Sequence, residues 1–258
     1  MWKKILVTLS LIFLTGCFPR EKADIPQEGE IVTWKQNDHL VVKAKLGPRH
    51  IHIPDTHCKR CEAEFYQPEH EHYLGQFPID YVPEKFAKIS AVEAESLPFP
   101  YSNGQLEFDL MLNGSTVKAT DESIYSEKSL DHPDQIKVMI FNEMIENDTA
   151  QSYAKFLKSN DDIYNKEMSE KYNLSCYLNK EIDYWCFGKP SNSKSTGLAL
   201  VFMNNNKVLV RSREHIYGGL NVEWIIDQRN LKYWKKIDAA IWNLLDAWNV
   251  SPISDSGQ

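Results

Sequence analysis

The sequence predicts an α+β fold: mostly antiparallel sheets with a few helices and one long amphipathic helix at the C-terminal end. Three observations carry this expectation. Short runs rich in β-branched and apolar residues, separated by turn residues, recur through the first half. Two cysteines, Cys176 and Cys186, flank a short turn at the spacing of a bridged hairpin. Near the C-terminus, apolar residues recur at spacings of three and four, the signature of one buried helical stripe.

In order along the chain, Glu30 to Gln36, Leu40 to Leu46 and Arg49 to Ile53 read as strands, with turns at Asn37-Asp38 and Gly47-Pro48. Pro68 to Pro100 is proline-rich and irregular, with a short helix expected near Pro83 to Glu95. Leu106 to Leu112 and Ile136 to Phe141 return to strand character, and Asn113 to Asp134 between them is polar with little pattern. Asp148 or Thr149 caps a helix to about Lys158, with Tyr153, Phe156 and Leu157 on one side. Leu174 to Lys180 and Asp183 to Phe187 form the cysteine hairpin, whose in-register pairing joins Cys176 to Cys186. Leu198 to Met203 and Lys207 to Arg211 flank Asn204-Asn205-Asn206, a run that tolerates the positive φ of a tight turn. Gly218-Gly219 leads into a strand from Leu220 to Ile226. Asp227 or Asn230 then caps a helix from about Leu231 to Trp248. Its stripe is Leu231, Trp234, Ile237, Ile241, Leu244, Leu245 and Trp248; Trp242 falls off it and is expected at the edge of the core.

The first residues carry a different signal. Lys3 and Lys4 precede an apolar stretch from Ile5 to Leu14, interrupted by Thr8 and Ser10. A membrane span needs about 20 apolar residues and a signal-peptide core roughly 7 to 15, so this stretch suits a leader. Leu14-Thr15-Gly16-Cys17 resembles the lipobox of bacterial lipoproteins. The resemblance implies that Cys17 carries covalent lipid, palmitate included, and becomes the mature N-terminus. Phe18 stands where an Asp commonly retains such proteins in the inner membrane, which implies the periplasmic face of the outer membrane. The expected organisation is then a signal peptide over 1–16, a lipidated tether over 17–29, an N-terminal β-rich domain over 30–147 and a C-terminal α+β domain over 148–258.

Loss of Met1 to Gly16 removes two lysines and no acid, so the formal charge moves from -7 to -9. A nucleic-acid surface needs clustered Lys and Arg, so this balance argues against nucleic acid as a partner. In an oxidising compartment the four cysteines after Cys17 default to disulfides. With Cys176 paired to Cys186, Cys58 and Cys61 are left to each other or to another role.

That other role is a metal. His50, His52, His57, His70 and His72 surround Cys58-Lys59-Arg60-Cys61. Thiolates with imidazoles select zinc or copper, and His50 and His52 would leave the same face of a strand. A simple Cys58–Cys61 disulfide with solvated histidines explains the same residues, so the main expectation is no cofactor beyond the lipid. Haem attachment would want histidine where Glu62 stands, and a thioredoxin-like site would want strands and helices in alternation. There is no Gly-x-Ser-x-Gly elbow, no His-Glu-x-x-His helix and no glycine-rich phosphate loop. Carboxylate neighbours such as Glu143 and Glu146, or Asp161 and Asp162, are not distinguished from surface charge. The chain is therefore not expected to be an enzyme.

The C-terminal run Gly218-Gly219-Leu220-Asn221-Val222-Glu223-Trp224, with Trp234, Ile237-Asp238, Ile241-Trp242 and Ala247-Trp248-Asn249, is similar to periplasmic immunity lipoproteins that neutralise lipase effectors of the type VI secretion system. The similarity covers at most the last 110 residues. It implies a non-catalytic protein that binds a toxic phospholipase. Asn113 to Asp134 and His57 to Tyr73 are the segments expected to bind it, because binding residues concentrate on loops held by a scaffold.

Overall fold

The structure, a computed structural model, describes residues 29–46, 85–97, 105–119, 132–159, 163–178, 184–191, 193–203 and 206–253. The first two expected strands, β1 (Ile31–Lys35) and β2 (Val41–Lys45), form an antiparallel hairpin with Trp34 opposite Val42. Asn37 makes the reversal, its Oδ1 accepting from the N–H groups of His39 and Leu40 at 2.8 Å each. The strand expected over Arg49 to Ile53 lies outside the described residues. α1 (Ala91–Ser96) is shorter than the helix expected from Pro83 to Glu95. Residues 85–90 are not helical, and Ser90 sets the start by accepting from the Glu93 N–H at 3.1 Å.

The remaining elements are β3 (Gln105–Asn113), β4 (Thr116–Ala119), β5 (Gln135–Asn142), α2 (Thr149–Ser159), β6 (Ile163–Tyr164), α3 (Lys166–Tyr172), β7 (Ser175–Leu178), β8 (Trp185–Gly188), β9 (Leu198–Phe202), β10 (Lys207–Glu214), β11 (Leu220–Asp227) and α4 (Trp234–Trp248). The strands from β3 to β11 form one sheet in the order β4-β3-β5-β11-β10-β9-β8-β7-β6, antiparallel throughout. β4 corrects the reading of Asn113 to Asp134 as patternless, since Asn113-Gly114 turns the chain and Gly114 adopts φ 61°. Asn206, in the expected turn between β9 and β10, adopts φ 60°. α2 begins with a reciprocal cap: Asp148 Oδ1 accepts from the Gln151 N–H at 2.7 Å and Gln151 Oε1 from the Asp148 N–H at 3.1 Å.

Period two explains the core. One row of directly opposed partners runs Phe108, Val138, Trp224, Val210, Leu200, Cys186, Cys176 across seven strands. All are buried, and α4 lies among the residues packed against that face. The sheet also crosses the expected boundary between residues 147 and 148. β5 pairs with β11, so strands from both halves share one sheet and one core.

A 3-10 turn over Gln228–Tyr233 leads into α4, started by Asp227, whose Oδ1 accepts from the Arg229 N–H at 3.1 Å. Every residue of the expected stripe is buried. Trp242 is buried as well, because its Nε1 donates to Asp238 Oδ1 at 3.2 Å one turn away. Beyond α4, Val42 bridges to Asn249, the Val250 N–H donates to the Val41 carbonyl at 2.8 Å, and Asn249 Nδ2 donates to the His39 carbonyl at 3.0 Å. The last described residues thereby clasp the first hairpin.

Cys176 and Cys186 are bonded and fully buried, as their opposed positions in β7 and β8 require. The bridge spans a sequence separation of 10. Chain entropy for so short a loop gives about 2.7 kcal/mol. Urea denaturation of a Cys176→Ala/Cys186→Ala chain is expected to show that loss; an unchanged midpoint would mean that strand pairing alone holds the hairpin.

Candidate functional site

Cys17, Cys58, Cys61, His50, His52, His57, His70 and His72 lie outside the described residues, as do Asp161 and Asp162. Among the described residues, no group of three His, Cys, Asp or Glu side chains is placed to hold a metal, and no helix is long and apolar enough to cross a membrane. Glu143 is in an ion pair with Arg213 at 3.3 Å. Of the two expected binding segments, His57 to Tyr73 is outside the described residues. The described N-terminal part of Asn113 to Asp134 is one arm of the β3–β4 hairpin.

The structure gathers a different surface at the β6 end of the sheet. On α2, Tyr153 and Phe156 lie three residues apart and so face the same way. The Tyr153 ring stacks on Phe187 of β8 with centroids 4.3 Å apart, and Phe156 meets Tyr177 of β7 edge-on at 5.2 Å. Tyr164 of β6 meets Tyr177 at 5.6 Å, and the Tyr153 and Tyr177 hydroxyls are 3.0 Å apart. Burial, reinforced by the Tyr153 hydroxyl, pushes the Tyr177 phenol up to about 12.

This aromatic cluster has an apolar rim in water. Ile163 is 67% exposed, Tyr164 53%, Leu157 51% and Leu178 41%. The exposure of Leu157 corrects the expectation that it shares the packed side of α2 with Tyr153 and Phe156. Ile163 stands opposite Leu178 and Tyr164 opposite Tyr177, so the last two strands present apolar groups on both faces. Among the described residues β6 is also an edge of the sheet. Such an edge can pair with another chain, and ordered aromatic rings beside exposed aliphatic groups are the usual anchors of a protein interface. Sequence reading missed Ile163-Tyr164 because two residues are too few for a period. The available signal was a β-prone pair held between Asp161-Asp162 and Asn165.

A second cluster is buried beneath residues 193–196. Glu214 on β10 and Asp238 on α4 are both enclosed. Glu214 Oε1 accepts from Ser212 Oγ at 2.6 Å, the Thr196 N–H at 2.8 Å and Thr196 Oγ1 at 3.2 Å. Ser195 Oγ donates to Asp238 Oδ2 at 2.8 Å. Burial outweighs these hydrogen bonds in both cases. It raises Glu214 from 4.5 to about 7, with nearby Asp148 adding to the rise, and it raises Asp238. Beside them, the Tyr217 hydroxyl donates to Asp246 and accepts from Lys194 Nζ at 2.9 Å. The chemistry here is that of a fastening: the polar groups of residues 194–196 are engaged by β10, α4 and Tyr217. The sequence signal was legible, since alternation along β10 puts Val208, Val210, Ser212 and Glu214 on the buried face.

No protein family, curated protein or solved structure matches the chain.

Proposed function

We infer that the chain is a lipid-anchored protein on the periplasmic face of the outer membrane that binds and inhibits a secreted toxic effector. By the C-terminal resemblance, that effector is a type VI secretion lipase. The observation that carries the reading is the exposed edge formed by Leu157, Ile163, Tyr164 and Leu178 around the Tyr153–Phe156–Tyr177 rings. A sheet edge with rigid aromatic anchors suits a macromolecular partner better than a small ligand. The Cys176–Cys186 bridge, which fixes this edge, suits an oxidising compartment, and the lipobox-like leader suits the same place.

The test is protection. The product of the neighbouring gene, expressed in the periplasm of a sensitive host, is expected to arrest growth unless this chain is present. Ile163→Glu/Tyr164→Glu is expected to abolish the rescue and to weaken the purified complex by roughly 100-fold or more, the scale of a lost hot spot. Both side chains are more than half exposed, so the fold is expected to survive the change. Full rescue by the double variant would place the interface elsewhere on the chain. A toxic neighbour that the native chain fails to neutralise would refute inhibition of that effector.

A further inference from the structure

A chain that is acidic as a whole carries a basic face among its described residues. From Gln228 to Leu245 the exposed charges are Arg229, Lys232, Lys235 and Lys236, and the single acid in that stretch, Asp238, is buried. Arg229 is taken by Asp134 at 2.9 Å. Two of the three lysines lie over ring faces, Lys232 over Tyr233 at 5.0 Å and Lys235 over Trp234 at 5.1 Å, and Lys236 follows in the same turn. Trp234 Nε1 donates to the Tyr172 carbonyl at 3.1 Å, which brings exposed Lys171, itself over Tyr172 at 5.0 Å, to the same region. The acids nearest Lys171 in sequence, Glu167 and Glu170, lie on α3, where Glu170 pairs with Lys166 at 3.7 Å, and the acid preceding Lys232, Asp227, caps the 3-10 turn through the Arg229 N–H at 3.1 Å.

The electrostatics of the helix does not account for this placement. Lys235 and Lys236 stand in the first turn of α4, a turn without acids, at the end of the helix where the backbone dipole favours negative charge. The residue type narrows the partner. Protein interfaces prefer arginine and are depleted in lysine, and the one arginine here is already engaged. Lysine is a mobile point charge suited to a diffuse array of phosphates.

We propose that the face bearing Lys171, Lys232, Lys235 and Lys236 lies against an anionic phospholipid surface. The lipid-anchored reading supplies the setting, since a tether from Cys17 keeps the body within reach of a bilayer, but the test does not depend on it.

Residues 18–258, which lack Cys17 and keep every described element, are mixed with vesicles of phosphatidylethanolamine and phosphatidylglycerol, or of neutral phosphatidylcholine. Co-sedimentation is expected with the anionic vesicles only, falling as salt rises. Lys232→Glu/Lys235→Glu/Lys236→Glu is expected to lower it by roughly 100-fold or more, at about fivefold per lysine, while its Tm stays level or rises. The Lys→Gln triple variant is expected to lose binding similarly and guards against a folding defect in the first. Equal binding to both vesicle types, or unchanged binding by both triple variants, would overturn the proposal. So would tighter binding to polyglutamate than to anionic vesicles, which would assign the face to an acidic protein. Lipid attachment is read separately, by palmitate labelling that depends on Cys17, so the two failures are distinguishable.

Discussion

Trp248→Ala is expected to cost about 3–5 kcal/mol, the range for truncating a buried aromatic ring. Trp248 closes α4 against β3, meeting Phe108 edge-on with centroids 5.4 Å apart. The next residue, Asn249, holds the β1–β2 hairpin through the Val41 N–H and the His39 carbonyl. A cavity there therefore loosens the contact between sheet and helix and also the anchor of the first hairpin. Urea denaturation of the native chain, Trp248→Ala and Trp248→Phe measures it. The Phe variant keeps a ring and is expected to lose less than half as much. A loss under about 1 kcal/mol for the Ala variant would mean that the surroundings collapse into the gap.

The second large effect concerns pH. Glu214 titrates at about 7 in the fold against an ordinary 4.5. Its folded value is the higher one, so folding favours the protonated form. Its contribution is fully present below about 4.5 and is lost as pH rises through about 7. The shift corresponds to about 3 kcal/mol between pH 4 and pH 8. Glu214→Gln keeps the Oε1 acceptor used by Ser212 and Thr196 and never ionises. At pH 8 it is expected to be more stable than the native chain by about 2–3 kcal/mol, with a flatter stability profile. Asp109, which burial raises to about 6, and Asp238 leave a residual slope in the same direction. Parallel profiles for the two proteins between pH 4 and pH 8 would show that water already reaches the Glu214 carboxyl.

Local patterns were the legible part of this fold. Alternating apolar residues marked β3, β5, β10 and β11, paired cysteines marked β7 and β8, and spacings of three and four marked α4. α3 was missed because seven residues opened by Asn165 and closed by left-handed Asn173 carry no measurable period. β4 was missed although Asn113-Gly114 is among the strongest turn signals, since Lys118 and the polar residues around it hid a four-residue strand. Sheet order was not legible at all. The adjacency of β5 to β11 comes from the fit of Ile140 against Val222 and Val138 against Trp224, and periodicity along one strand says nothing of its neighbour. The exposed Ile163–Tyr164 edge was invisible for the same reason: it becomes an edge only once the order of the other strands is set.

The clasp between the two ends has a temporal meaning. The Val41 N–H reaches Asn249 Oδ1 across 208 residues of chain, and β11 slots between β5 and β10 only after almost everything else has been made. A polypeptide that emerges N-terminus first therefore displays β1, β2, β3 and β5 with their apolar faces bare until the final segment arrives. Distant pairings of this kind fold slowly, and unpaired strands attract wrong neighbours while they wait. The pairing of β11 with β5 and of Asn249 with Val41 can form only once the C-terminal segment has been made. Until then the apolar faces of the earlier strands lack the partners that cover them in the finished fold.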